Sequence, residues 1–180
     1  LTIQPGIEVK FNTGGILVVA GTLNANGTSG NTIKFTSNLG SPAPGSWRNL
    51  SFLASASVNS VVNYCVFEYG GSGSNGATIF YFTGAPAINI SNTVVRLSAG
   101  HGINVRASSP RISTSIVRDN AGYGIYSDLV TTMKVDSSEA AMNTLGGIRI
   151  PINSNPEVTN SRIDSNGTGI FIDNSSAPKI

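Results

Sequence analysis

Phe80, Asn104, Tyr126, Arg149 and Phe171 recur at intervals of 24, 22, 23 and 22 residues, and their side chains are of the kinds that hold sugars. Aromatic rings stack on the apolar face of a sugar ring, while an amide and a guanidinium bond its hydroxyls. Set one above another on an outward face, the five make a candidate ligand-binding strip for a polysaccharide. The acids suit catalysis less well. Asp128 and Asp173 fall in a second such column, whose other places hold Arg106 and Pro151. Hydrolysis of a glycosidic bond generally needs two carboxylates, one to donate a proton and one to serve as base or nucleophile. Two turns of a stacked fold would part these two by about 9.6 Å, the outer limit for an inverting pair. A proline lies between them, and the column holds no third acid. A surface ion pair between Arg106 and Asp128 is the simpler reading. No Asp precedes Asp119. We therefore assign no catalytic residue, no metal ligand and no cofactor.

The remaining reactive side chains read as structural. His101, the single histidine, sits between Gly100 and Gly102 and is expected in a bend near Tyr123 of the next turn. Cys65 is the single cysteine, so no internal disulfide can form. It lies in the strand-like run 61–67 and behaves as a small buried hydrophobe, because nothing local supplies the cation or base of a reactive thiol. Trp47 is expected to cover a corner of the core. Arg111, Lys134, Glu157 and Lys179 form a mixed-charge column, a solvated face that discourages non-specific association.

What must position these columns is a repeat. Gly102, Gly124, Gly147 and Gly169 are 22, 23 and 22 residues apart, and Ile112, Val135, Val158 and Ile180 follow at 23, 23 and 22. Val95, Val117, Ala140 and Ile163 keep the same step. So do three polar columns: Ser98 with Asn120, Asn143 and Asn166; Asn92 with Thr114, Ser137 and Asn160; and Thr93 with Ser115, Ser138 and Ser161. A fixed period in this range means a stacked array. Within each period, apolar residues alternate with polar ones, the pattern of a strand with one buried face. Asn and Gly between the alternations tolerate the left-handed conformation that sharp bends need. About 22 residues is too short for a helix-containing crossover between strands and suits one turn of a parallel β-solenoid with two or three strands. Ile103, Ile125, Ile148 and Ile170 would then stack inside the coil about 4.8 Å apart. The Asn and Ser columns would line the bends, satisfying backbone groups and one another. A leucine-rich repeat needs several leucines per turn, and the regular half has only Leu97, Leu129 and Leu145.

Composition agrees with an all-β solenoid. Of the 180 residues, 11% are charged and 21 are Gly, against a usual charged quarter. A net charge of +2, with basic residues scattered singly, gives no reason to expect nucleic acid. No apolar span of membrane length occurs, so membrane insertion is not expected. We expect one domain over residues 1–180, with irregular turns over 1–84 and regular turns of 22–24 residues over 85–180. The pattern opens in mid-turn, and Ser176-Ala177-Pro178-Lys179-Ile180 repeats the turn starts at Ser108 and Ser154 with no cap after it. This predicts a coil truncated at both ends, a piece of a longer protein or a module that stacks end to end.

Several runs also resemble a known family. Residues 1–11 (LTIQPGIEVKF), 21–23 (GTL), 33–37 (IKFTS), 44–47 (PGSW) and 66–71 (VFEYGG) look like the opening turns of secreted bacterial right-handed parallel β-helix repeat proteins. The regular half is similar to the pectin-lyase-like repeats of many carbohydrate-active proteins, and together the likeness spans nearly the whole chain. Arg48-Asn49 departs from the Gly-Gly expected after the Trp. The resemblance implies a right-handed single-stranded parallel β-helix of about seven turns, and export to the cell surface or beyond. It says little about chemistry, because that superfamily includes lyases, hydrolases, epimerases, adhesins and non-catalytic modules. Gly100-His101-Gly102 resembles a segment of polygalacturonases, but their aspartates on the preceding turn have no counterpart, since that turn reads Ile79-Phe80-Tyr81-Phe82. A pectate-lyase calcium site would need clustered acids, which the columns do not offer. A lyase that neutralises a uronate with Tyr126 or Arg149 is the enzymatic alternative. The expectation is a non-catalytic extracellular module of a larger exported protein, a scaffold with a polysaccharide-binding surface; an adhesive or partner-docking spacer is the third reading.

Overall fold

The computed structural model describes residues 1–129 and 131–180. Among them the chain winds into three parallel sheets of seven strands each, with no helix. The first sheet runs from strand Thr2–Ile3 to Glu157–Thr159, the second from Glu8–Phe11 to Arg162–Asp164, and the third from Leu17–Val19 to Ile170–Ile172. Each turn contributes one strand to each sheet, so sequence neighbours lie in different sheets and every strand but those of the first and last turns pairs with the turns before and after it. The third sheet holds the longest strands, His101–Arg106 and Tyr123–Asp128, and carries the candidate strip on its outer face. The winding is the parallel solenoid that the repeat predicts, in about seven turns as the resemblance implies.

Register follows the repeat. In the first sheet Ile3 pairs with Ala25, and the column continues through Val62, Ile90, Ile112, Val135 and Val158. The spacings along it are 22, 37, 28, 22, 23 and 23 residues, so the long excursions fall in the early turns. Val95, Val117, Ala140 and Ile163 stack in the second sheet, and Ile79, Ile103, Ile125, Ile148 and Ile170 in the third. All but Ile163 and Ile170 in these two columns are buried. Burial of one such side chain contributes roughly 1.5–3 kcal/mol, and the stacked columns together form one hydrophobic core. Aromatic residues do the same higher up: Phe35 stacks on Phe67 with centroids 4.4 Å apart, and Phe52 lies 5.0 Å from Tyr81. Trp47 closes the corner beside them. It is fully buried, stacks on Phe11 at 4.2 Å and donates its indole N–H to the carbonyl of Glu68 at 2.8 Å. Cys65 is buried too, which pushes its thiol up to about 12 and leaves it protonated.

The Asn and Ser columns line the corners and bond backbone groups and one another, as expected, but the residue that takes the left-handed conformation is seldom the Asn or Gly anticipated there. Between the first and second sheets a single residue turns the chain, at positive φ, in each of five successive turns: Tyr64, Asn92, Thr114, Ser137 and Asn160 (φ 48–51°). Between the second and third sheets Tyr69, Leu97, Asp119, Met142 and Ser165 do the same (φ 53–64°). Only two of these ten are Asn and none is Gly. The ladder overrides the local preference: the N–H groups of Asn92, Thr114 and Ser137 each bond a carbonyl of the next turn at 3.1 Å, so the bend costs no backbone hydrogen bond. Thr114 is the β-branched member, the class of side chain least suited to this region. Its side chain is exposed and has nothing to lose. We expect Thr114→Asn to stabilise the protein by about 1 kcal/mol, read as a higher urea midpoint with an unchanged slope.

Candidate functional site

The five strip residues occupy successive places on the third sheet. Asn104 pairs with Phe80 on one side and Tyr126 on the other, Tyr126 pairs with Arg149, and Arg149 with Phe171. Their accessibility differs from the expectation of an open strip. Phe80 is only 4% exposed and packs edge-on against Phe82 at 4.7 Å, and Asn104 is 8% exposed, its Oδ1 buried without a hydrogen-bond partner. Neither can stack on or bond to a ligand from solvent. Tyr126 and Arg149 are half-buried, and Phe171 is exposed.

The rings are also arranged differently from a set of free platforms. The imidazole of His101, from the turn before, lies nearly parallel to Tyr126 at 4.3 Å. The guanidinium of Arg149, from the turn after, sits 5.7 Å from the Tyr126 ring centre and 4.9 Å from that of Phe171. His101, Tyr126, Arg149 and Phe171 therefore form one pile along the helix axis, in which Tyr126 gives one face to an imidazole and the other to a cation. Cation–π contacts of this kind contribute roughly 0.5–1 kcal/mol each at exposed sites. What the pile offers outward is ring edges, the tyrosine hydroxyl and guanidinium N–H groups.

His101 is part of a strand, not of a bend as the glycines flanking it suggested, and its position explains its ionisation. It opens the strand His101–Arg106, and its Nδ1 accepts the backbone N–H of Tyr123 at 2.9 Å. That bond requires an unprotonated Nδ1 and so places the proton of the neutral ring on Nε2. Burial, with the positive charge of Arg149 added, pulls the imidazole down to about 4, and the ring is uncharged at neutral pH.

The carboxylates of the second column are engaged in ion pairs. Asp128 lies 3.4 Å from Nε of Arg106, as the sequence suggested, and Asp173 lies 2.8 Å from the guanidinium of Arg149. Between them the surface falls into a notch of about 430 Å³, lined by Tyr126, Asp128, Leu129, Arg149, Ile152 and Asp173 among others. Leu129 and Ile152 are 45% and 56% exposed, and they add aliphatic surface to the charged groups that line the notch. The sequence reading missed these two residues, which directly follow the column members Asp128 and Pro151. An apolar side chain in that place on two successive turns, just beyond the strand ends, is the signal that was there to be read. Two further depressions, at the first turn, are lined mainly by aliphatic side chains around Leu1 and Leu17. Among the described residues, no group of three or more His, Cys, Asp or Glu side chains converges as a metal site would require.

The mixed-charge column is a solvated face as expected. Lys134 and Lys179 reach Glu157 from either side at 3.0 and 2.9 Å, and Arg111 pairs with Asp136. Such exposed pairs are screened by solvent and contribute little to stability.

A family model described as a right handed beta helix region matches residues 51–180. No curated protein and no solved structure matches the chain. The same three sheets continue through residues 1–50, outside the matched segment. On this match and on the three stacked parallel sheets, the chain belongs to the right-handed β-helix family.

Proposed function

We propose that the chain is a non-catalytic sugar-binding module of an exported, surface-associated or extracellular protein, with the notch beside Tyr126 and Arg149 as its binding site. The observation that carries this reading is the make-up of the notch: the exposed aliphatic side chains of Leu129 and Ile152 line it together with the polar Tyr126, Asp128, Arg149 and Asp173. A sugar has one apolar face and a rim of hydroxyls, and a cleft lined by both apolar and hydrogen-bonding side chains accepts both. The role of the strip changes accordingly. Tyr126 lines the site and Phe171 holds Arg149 in place, while Phe80 and Asn104 serve the packing of the sheet. Asp128 and Asp173 are each engaged by an arginine, whereas glycoside hydrolysis needs one carboxyl group free to donate a proton and another free to act as base or nucleophile, and this favours binding over catalysis.

The test is migration through native gels cast with a soluble polysaccharide. Proteins that bind the polymer are retarded, and Tyr126→Ala combined with Phe171→Ala should reduce the apparent affinity at least about tenfold, a loss of roughly 1.4 kcal/mol. Circular dichroism should show the fold intact, since both side chains lie outside the core. Retardation that survives both substitutions would move the site elsewhere on the molecule. Appearance of an unsaturated uronate product during incubation with acidic polysaccharides would replace the binding module by a lyase.

A further inference from the structure

We infer that the notch selects neutral sugars over acidic ones. This rests on the sugar-binding reading above and adds the class of ligand. The two carboxylates that line the notch, Asp128 and Asp173, flank its single lining cation, Arg149. That cation is already committed. Its terminal nitrogen bonds Asp173 at 2.8 Å, its Nε is buried without a partner, and its plane is held between Tyr126 and Phe171. Arg106 pairs with Asp128 and so does not turn its charge to an incoming anion. A uronate or sulfate group entering the notch would meet two carboxylates, and it could gain a guanidinium only in competition with the carboxylate already paired to it. A neutral sugar meets no such barrier. Its hydroxyls donate to the free lone pairs of Asp128 and Asp173, in charge-assisted bonds roughly twice as strong as neutral ones. Its apolar face lies on Leu129 and Ile152.

Native gels containing galactomannan or mixed-linkage glucan, set against gels containing polygalacturonate or alginate, separate the possibilities. At low salt we expect retardation in at least one neutral gel and an affinity for both acidic polymers at least about tenfold weaker. Retardation in the neutral gel should change little with added salt, since no net charge is neutralised on binding. Asp128→Asn combined with Asp173→Asn should invert the preference, because it removes two negative charges and releases Arg149 toward the notch; polygalacturonate retardation should then appear and fade as salt is added. Equal or stronger retardation of the unaltered protein by polygalacturonate or alginate would overturn the selectivity while leaving the binding site in place. Passage through all four gels without retardation would overturn the sugar-binding reading and the selectivity with it.

Discussion

Asn143→Leu should destabilise the protein by about 4 kcal/mol, the largest effect we expect from one side chain outside the aliphatic lumen. Asn143 is the centre of a ladder that runs down the corner between the second and third sheets. Its Oδ1 accepts from the backbone N–H and the side-chain amide of Asn120, at 3.2 and 2.9 Å, and its own amide donates to the Val117 carbonyl at 3.1 Å and to Oδ1 of Asn166 at 3.0 Å. The residue is 1% exposed. A leucine of similar size leaves the Asn120 N–H, the Asn120 amide and the Val117 carbonyl buried, and water has no path to them. Each such orphan costs about 1–3 kcal/mol. Space compounds the loss. A Cβ placed on Gly124 would come within 2.7 Å of the Asn143 amide nitrogen and 2.9 Å of the Gly147 carbonyl oxygen, so glycine stands opposite the ladder to let it approach, and a branched side chain at 143 has no room to turn. For a chain of this length a loss of that size lowers the melting temperature by roughly 10–15 °C. Asn166 is the internal control. It makes the same kinds of bond but is only half-buried, and Asn166→Leu should cost about half as much, because water replaces part of what is lost. Urea titration of both variants checks the ratio. Equal losses at the two positions would show that the ladder acts through local conformation and not through buried hydrogen bonds.

The ladder also shows which parts of this protein can be read from its residues. The columns of Asn, of Ile and of Gly repeat at one step because each turn must meet the next with the same side chain, and that constraint writes the register into the sequence. Ile103 above Ile125 above Ile148 was legible for this reason. The corners were less so. Leu97, Met142 and Thr114 occupy left-handed positions that local preference assigns to Gly or Asn, because the interturn hydrogen bonds hold the backbone there whatever side chain it bears. The site was legible only in part. Periodicity set Tyr126, Arg149 and Phe171 in line, but it carries no information on whether an outward side chain stays in solvent. Phe80 is buried against Phe82, and the faces of Tyr126 are taken up by His101 and Arg149. Both results depend on side-chain packing across turns, which a column of letters does not record. The notch lies past the strand ends, where Leu129 and Ile152 belong to no column that the core enforces.

The second large effect is expected at Glu68, where a carboxylate is buried on the outside of the coil. Glu68 is 2% exposed, yet it accepts from the Thr36 hydroxyl at 3.0 Å and pairs with Lys34 and Arg96, each at 2.7 Å. Burial by itself would raise its pKa; Lys34, Arg96 and Thr36 together outweigh that and hold it below the ordinary carboxylate value. Glu68→Gln keeps the shape and removes the charge. It should cost about 2 kcal/mol at neutral pH, less than the roughly 3–5 kcal/mol typical of breaking a fully buried pair, because the surviving partners are cations with access to water. Lys34 and Arg96 have side chains 37% and 35% exposed. The direction of the pH dependence follows from the sign of the shift. A carboxylate whose pKa is lower in the folded state than in the unfolded chain contributes stability above its unfolded pKa, and that contribution is lost as pH falls through the folded value. The unaltered protein should therefore lose stability on acidification below the ordinary glutamate pKa, and the gap between it and the Gln variant should close over the same interval. Urea midpoints measured for both proteins from neutral pH into the acid range test this directly. A gap that stays constant throughout would mean that Glu68 holds its cations by geometry alone and that its charge contributes nothing to folding.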